Sequence, residues 1–381
     1  MKTEKPHFTI LQKETKRLLE KGVLEGIFPC AAAGIISGLG KEKKSFITYY
    51  GNGTLYPEKR KLKKTYFFDL ASLTKPLATT LAILCLINEN KIDLEEQLPS
   101  LCEKKIKGDK SKITTRNLLS HSSGFPAHRE YFTLLKDVPI KEKKEFVENL
   151  ILQEKLEYKP GKTSLYSDLG FILLGRIIEK KAECSLAHYI EEKVLRPFNL
   201  EKKIFYNPMY DEKRNTLKTS FVATENCPWR KKILCGEVHD DNCYTMGGVA
   251  GHSGLFGNIE GVTAYTGLIL DMWKGAAAHP NIKKKDLRAF LTRQETIPGS
   301  TWALGFDTPA AEDSSSGLHF SKKSVGHLGF TGTSFWIDPE KDVAITLLTN
   351  RVHPSRENTK IKKFRPYFYD RVIEILFSLN K

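Results

Sequence analysis

The alternation of apolar and polar positions gives the chain strand-like ends and a helix-like middle. Residues from about 8 to 22 have helical spacing at Ile10, Leu11, Leu18 and Leu19. Two strand-like runs follow, Ala31 to Ser37 and Ser45 to Tyr50, and Gly51, Gly53 and Pro57 mark the turn out. From Ser72 onward helical spacing dominates, over 72–88, a short piece near Thr115–Leu119, then 143–153, 169–181 and 186–195. The stretch 200–257 is rich in Gly, Asn and Asp and reads as a long irregular segment of the kind that lines a site or wraps a surface. Helices return at about 259–274 and 286–293. Strands return at Trp302–Asp307, Ser324–Gly329, Ser334–Ile337 and Val343–Thr349. A final helix is expected from about 366 to 379, with Tyr369, Val372, Ile373, Ile375 and Leu376.

This order predicts an α+β protein whose sheet domain is discontinuous in sequence. Residues 1–70 and 258–381 supply the sheet and the terminal helices, while 71–257 form a mostly helical domain with site-lining loops. The first and last helices each carry one apolar stripe and are expected to cover one face of the sheet.

Composition narrows this picture without changing it. The 381 residues are enough for a sizeable core, and 40% hydrophobic with 28% charged residues is the balance of a globular chain. The net charge of +15 raises the question of an anionic partner. However, the lysines lie in short scattered runs without interleaved aromatics or a groove-reading motif, so no nucleic acid partner is expected. Seven cysteines, an odd number, argue against a disulfide framework. Cys227, Cys235, His239 and Cys243 lack the close pairs of a structural zinc site, so no metal is expected, and no cofactor either. The N-terminus has no apolar core of a signal peptide, and the run Pro76 to Ile87 is too short to span a bilayer. The expectation is a cytoplasmic chain as written, or a cell-envelope one if a native leader was trimmed. The sequence leaves the oligomeric state open.

The chemistry concentrates at Phe67-Phe68-Asp69-Leu70-Ala71-Ser72-Leu73-Thr74-Lys75. A serine hydroxyl needs a base within hydrogen-bond reach, and a lysine three residues along a helix faces the same way. Pro76 is tolerated only in a first helical turn, which places Ser72 near the helix N-terminus, where free N–H groups and the helix dipole favour developing negative charge. Three more stretches add to this signal. Tyr158 to Gly170 is a Pro-Gly turn and loop ending as a helix begins, where a tyrosine near a lysine has its pKa lowered. Gly326 to Ser334 is a strand and turn whose glycines let a substrate lie on the strand edge, with a cation at His327 favouring an anionic neighbour. Gly247 to Gly257 is a flexible wall leading into a helix, without the Lys-Ser/Thr ending of a phosphate loop.

On these motifs the chain resembles the serine β-lactamase and penicillin-binding protein superfamily, nearest its class C, penicillin-binding and esterase members. Ser72-Leu73-Thr74-Lys75 matches S-x-x-K. Tyr166-Ser167-Asp168 falls at Tyr-x-Asn, and His327-Leu328-Gly329 at Lys-Thr-Gly or His-x-Gly. The stretches LLSHSSGFP (118–126), GEVHDDN (236–242), FTGTSFWIDP (330–339) and LLTNRVHPSREN (347–358) extend the likeness over nearly the whole chain. The resemblance implies a central, mainly antiparallel sheet flanked by the terminal helices, with an inserted helical domain. It also implies an acyl-enzyme on Ser72, proton transfer through Lys75 and Tyr166, and an oxyanion hole from the N–H groups of Ser72 and Phe330. Asp168, His327, Leu328, Gly329 and Phe330 would meet a small-molecule or peptide substrate.

Two positions depart from the pattern. Asp168 replaces an amide, so when ionised it only accepts hydrogen bonds, and its charge raises the pKa values of Lys75 and Tyr166. A protonated His327 would offset part of that. Leu328 removes a hydroxyl from the position that meets a substrate carboxylate. The expected activity is therefore a serine hydrolase of esters or D-alanyl peptides with poor β-lactam turnover. The alternative is a catalytically silent protein of the same fold that binds peptidoglycan-like ligands.

Overall fold

The chain forms eleven strands among the residues that the computed structural model describes, 4–208 and 220–378. In chain order they are β1 (Cys30–Ser37), β2 (Lys44–Thr54), β3 (Arg60–Lys61), β4 (Phe68–Asp69), β5 (Ile204–Tyr206), β6 (Ala223–Cys227), β7 (Lys232–Cys235), β8 (Leu255–Gly257), β9 (Val325–Leu328), β10 (Ser334–Asp338) and β11 (Val343–Thr349). Six of them make the central sheet in the order β3-β2-β1-β11-β10-β9, every neighbouring pair antiparallel. The centre is β1, where Ala33 stands opposite Leu347 on one side and Thr48 on the other.

Strand β1 is buried on both faces, which its run of small and branched residues allows. Ala31, Ala33 and Ile35 point into a core shared with Leu11 and Leu19 of the first helix (Glu4–Leu24) and Phe364, Phe368 and Val372 of the last (Ile361–Ser378). Cys30, Ala32 and Ile36 point the other way, into the larger core that contains Val262 and Ile269 of the helix Ile259–Lys274. Gly34 sits where that helix comes nearest, since a Cβ there would lie 1.8 Å from the Thr263 hydroxyl. The terminal helices thus do cover one face of the sheet. Ile10, counted into the apolar stripe, instead faces solvent.

The helical expectations correspond to Ile140–Gln153, Asp168–Ala182, Leu186–Ile190 and Thr115–Leu119, the last held by a capping box between Thr114 and Asn117. Four expectations need correction. The stretch 200–257 is not irregular throughout: it holds β5 to β8 and a short helix, Asp241–Thr245. Strands of three residues give no period-two signal, and β8 pairs with β5 on one side and β4 on the other across large sequence separations. Residues 209–219 of that stretch lie outside the described residues. Trp302 and Asp307 form only an isolated bridge, because Gly305 at φ 77° folds the segment back on itself. The helix 286–293 runs instead over Lys284–Phe290, and the last helix starts at Ile361, with Pro366 inside it.

The helix expected over 72–88 is continuous but uneven. Ser72 lies in a 3-10 turn (Ala71–Leu73), Lys75 opens a wide π turn (Lys75–Thr80), and regular α-helix follows over Leu81–Asn88. Such a widened turn is frequent at functional sites. The segment Ala71–Asn88 is long and apolar enough to cross a membrane by length and composition, but 83% of it is buried in the protein, as a core helix is.

Candidate active site

Strand β4 delivers the chain to Ser72. It pairs with β8, and the Leu70 N–H continues that pairing to Leu255 O (2.9 Å). The next residue, Ala71, has φ 47°, a left-handed conformation unfavourable to a residue with a Cβ. Asp69 fixes it: one carboxylate oxygen accepts from the Ala71 N–H (2.8 Å) and the other from the His239 N–H (2.6 Å). Asp69 thus braces the start of the helix, as its position before Ser72 suggests. The Thr331 and Thr333 hydroxyls donate to Asp69 O (2.8 Å) and Leu70 O (3.1 Å). The loop carrying Phe330 is thereby tied to the turn carrying Ser72.

Lys75 is fully buried, and its ammonium reaches three acceptors: Ser72 Oγ (3.1 Å), Asp168 Oδ1 (2.7 Å) and His252 O (3.1 Å). It also stands 4.9 Å from the centre of the Tyr166 ring. Burial opposes its charge, but Asp168 and then Tyr166 outweigh burial and hold its pKa above the ordinary lysine value. Burial likewise raises the Tyr166 phenol; the Lys75 charge pulls it down and Asp168 pushes it up again, leaving it above the ordinary tyrosine value. The lowered tyrosine pKa expected from a nearby lysine is therefore corrected: desolvation is the larger effect. Burial would raise Asp168 as well, but the Lys75 charge and a hydrogen bond with His128 (3.3 Å) keep its carboxyl far below the usual range.

His327 is the second correction. It is buried, and desolvation together with the Lys75 charge lowers its pKa to about 3, so the ring is neutral and offers no cation. Its Nδ1–H donates to Leu328 O (2.8 Å), which leaves Nε2 as a lone-pair acceptor with no hydrogen-bond partner among the described residues. Asp168 thus faces Lys75 and His128 rather than a protonated His327.

The structure brings Ser72, Tyr166, Asp168, His327, Leu328, Gly329 and Phe330 to one cleft of about 1220 Å³, with Lys75 beneath Ser72. The cleft exceeds the roughly 300–1,000 Å³ that small ligands fill. Neither the Ser72 nor the Phe330 N–H donates to another backbone group outside the regular elements, among the described residues. Arg351 lies 4.4 Å from the Phe330 ring centre and donates to Phe330 O (2.8 Å), and Arg365 donates to Gly329 O (2.8 Å). Both guanidiniums fasten the loop, and both residues also line the cleft.

Several wall residues carry no signal in the sequence. Trp302 stacks on Tyr166 (5.6 Å between centroids, 28° between planes), and His128 approaches Asp168 from a loop. Glu225, on β6, joins His239 (3.1 Å) and Arg356 (2.5 Å), which come from two separate loops. His121 is structural: its Nδ1 accepts from the Ser167 N–H (3.1 Å) just before Asp168. His252 pairs with Asp240 (2.9 Å) and supplies its carbonyl to Lys75. The cysteines weighed for zinc have separate partners, Cys243 with Ser253 O (3.2 Å) and Cys235 with Phe221 O (3.4 Å). Among the described residues no group of three or more His, Cys, Asp or Glu could hold a metal ion.

An antiparallel sheet faced by terminal helices, with Ser-x-x-Lys opening a helix beneath a Tyr-x-Asp loop and a His-x-Gly strand edge, defines the β-lactamase and penicillin-binding class of proteins. The chain belongs to the Beta-lactamase family, whose sequence profile matches residues 41–365. It is 31% identical over 368 residues to an N-acetylmuramyl-L-alanine amidase of Bacillus subtilis, covering 90% of this chain and 81% of the relative. It is 31% identical over 336 residues to a candidate D-alanyl-D-alanine carboxypeptidase of Salmonella heidelberg, covering 82% and 76%. Among solved structures, the octameric penicillin-binding protein homologue from Pyrococcus abyssi superposes with a TM-score of 0.72 at 18% identity, covering 96% of this chain and 77% of that one, which shows the shared fold. The family and the amidase and carboxypeptidase relatives bear the names of hydrolases.

Proposed function

We propose that the chain is an acyl-serine amidase that cleaves an amide of N-acetylmuramyl peptides, with D-alanyl peptides and esters as lesser substrates and β-lactams turned over poorly. The observation that carries this is Lys75 Nζ at 3.1 Å from Ser72 Oγ on the floor of a cleft larger than a terminal dipeptide needs. In this reading Ser72 attacks the carbonyl, and Lys75 and Tyr166 pass its proton to the leaving amine. The Ser72 and Phe330 N–H groups hold the oxyanion, an arrangement worth about 2.7–4 kcal/mol for each donor in such sites. Asp168, His327, Leu328, Gly329 and Phe330 line the substrate's path. The names of the two relatives offer two amides, one beside the sugar and one at a free carboxyl terminus. The neutral His327 and apolar Leu328 side chains themselves offer a terminal carboxylate neither cation nor hydroxyl, and the nearby Arg351 and Arg365 already donate to loop carbonyls, which favours the amide beside the sugar.

The test is mass-spectrometric analysis of products from muramyl dipeptide and from a peptide ending in D-alanyl-D-alanine. Release of the dipeptide from its sugar, abolished in Ser72→Ala, is the expected result. Release of D-alanine at a higher kcat/KM overturns the preference.

The silent-binder reading has one observation in its favour, the Lys75–Asp168 ion pair that keeps the lysine protonated at rest. A fluorophosphonate probe separates the two. Labelling lost in Ser72→Ala supports the enzyme, and no labelling of wild type supports the binder.

A further inference from the structure

The cleft continues well past Ser72 to a wall that the acyl-transfer groups do not use. There the turn between β6 and β7 presents Trp229, 45% exposed in a chain whose other tryptophans are largely covered. The turn is firmly built. Arg230, its side chain only 3% exposed, donates to Val238 O (2.7 Å) and His239 O (3.0 Å), pairs with Asp241 (2.7 Å) and lies 3.8 Å from the Tyr244 ring centre. Phe132 meets the indole edge-on at 4.9 Å, and its own loop is fastened by Asn242, which accepts from the Phe132 N–H (2.9 Å) and donates to Arg129 O (2.8 Å). An indole carried on a turn fastened by these bonds and packed against Phe132, yet left open to the cleft, is a preorganised platform rather than an uncovered core residue. Its surroundings are polar: Glu130, Asn226, Asp241 and Arg356 line the same cavity.

We propose that Trp229 is the sugar-binding platform of this cleft, stacking against the C–H face of an N-acetylated pyranose while the neighbouring carboxylates and amide meet its hydroxyls. A pyranose has one apolar face and a rim of hydroxyl donors and acceptors, and an aromatic plane edged by Asp, Glu and Asn complements both. A stem peptide without aromatic residues has no comparable flat face to offer. The inference rests on the reading of the substrate as an N-acetylmuramyl peptide and assigns which part of the cleft holds the sugar. It adds a binding subsite and no chemical step.

The test uses the full chain and two measurements. In the first, N-acetylmuramic acid alone is titrated onto Ser72→Ala protein and followed by saturation-transfer NMR. Binding through the ring C–H protons, weakened about tenfold by adding Trp229→Ala and largely retained by Trp229→Phe, is expected. The melting transition of each variant checks that it folds. Undiminished binding in the Trp229→Ala protein, or no binding to either, overturns the proposal. In the second, wild type and Trp229→Ala are compared on muramyl dipeptide and on the same dipeptide N-acylated by lactate without the sugar. The subsite predicts a higher kcat/KM for the sugar-bearing substrate, carried mainly by KM, and loss of that advantage in Trp229→Ala. If wild type cleaves both equally, the subsite fails while the amidase reading stands. If it cleaves neither but binds the sugar through Trp229, the reading of the reaction fails while the subsite stands.

Discussion

At Lys75 one ammonium meets three acceptors, and the strongest of them by charge, Asp168, keeps it protonated. Tyr166 is protonated as well, because burial and Asp168 outweigh the pull of the lysine. In the proposed reaction Ser72 needs one of these groups as a base, so kcat/KM should rise with pH into the alkaline range and not level off near neutrality. Asp168→Asn removes a charge that raises both pKa values, so the limb should move to lower pH and β-lactam acylation should increase. A pH–rate series on a chromogenic ester checks this, and a limb that stays in place or moves upward contradicts it. His327 gives a second prediction. A histidine titrates near 6.5 in an unfolded chain, and burial and the Lys75 charge lower His327 to about 3 in the fold. Between those values the unfolded chain binds more protons, so its contribution to stability is complete above about pH 6.5 and falls by roughly 1.36 kcal/mol per unit toward pH 3. Urea midpoints measured against pH should decline on acidification, and less steeply in His327→Gln.

Between elements, the site depends on close approaches that leave no room for side chains. The segment 247–257 crosses the helix Asp168–Ala182 at Gly251, where a Cβ would lie 2.1 Å from Phe171 O and 2.8 Å from Gly175 N. Thr79, one helical turn beyond Lys75, donates to Gly251 O (2.6 Å), and the next carbonyl, of His252, accepts from Lys75. Gly251→Ala should therefore displace an acceptor of the lysine and cost roughly 1–3 kcal/mol by overpacking. Thermal melts combined with the rate of fluorophosphonate labelling check both effects. Unchanged stability would mean that the crossing relaxes freely. The threonine clamp between 331–333 and Asp69–Leu70 shows the same logic, since two hydroxyls keep the Phe330 and Ser72 N–H groups in a fixed relation.

Across the whole molecule, the ends of the chain meet on one face of the sheet while the site opens at the edge strand β9. Phe368 is fully buried there among Phe364, Tyr369 and β-strand residues from both ends of the chain. Phe368→Ala should lower stability by about 3–5 kcal/mol, read from denaturant midpoints at constant m-value. A much smaller loss would show that the terminal helices contribute little to holding the sheet together.

How much of this the sequence could show depends on the range of the interactions involved. Periodicity located the sheet strands at both ends, most of the helices and the helix start at Ser72, because these patterns are set within a few residues by side-chain alternation and by Pro76. The motifs also named Ser72, Lys75, Tyr166, Asp168 and His327 as residues to watch. Tertiary structure decided what a local pattern does not contain. It made short strands of 204–206 and 255–257 by pairing them across the chain, and it brought Trp302, His128 and Trp229 to the cleft from separate loops. It also set the charge states. His327 is neutral because desolvation and the Lys75 charge both lower its pKa, and Tyr166 keeps its proton because desolvation outweighs the pull of that same charge; burial depends on everything packed around a group.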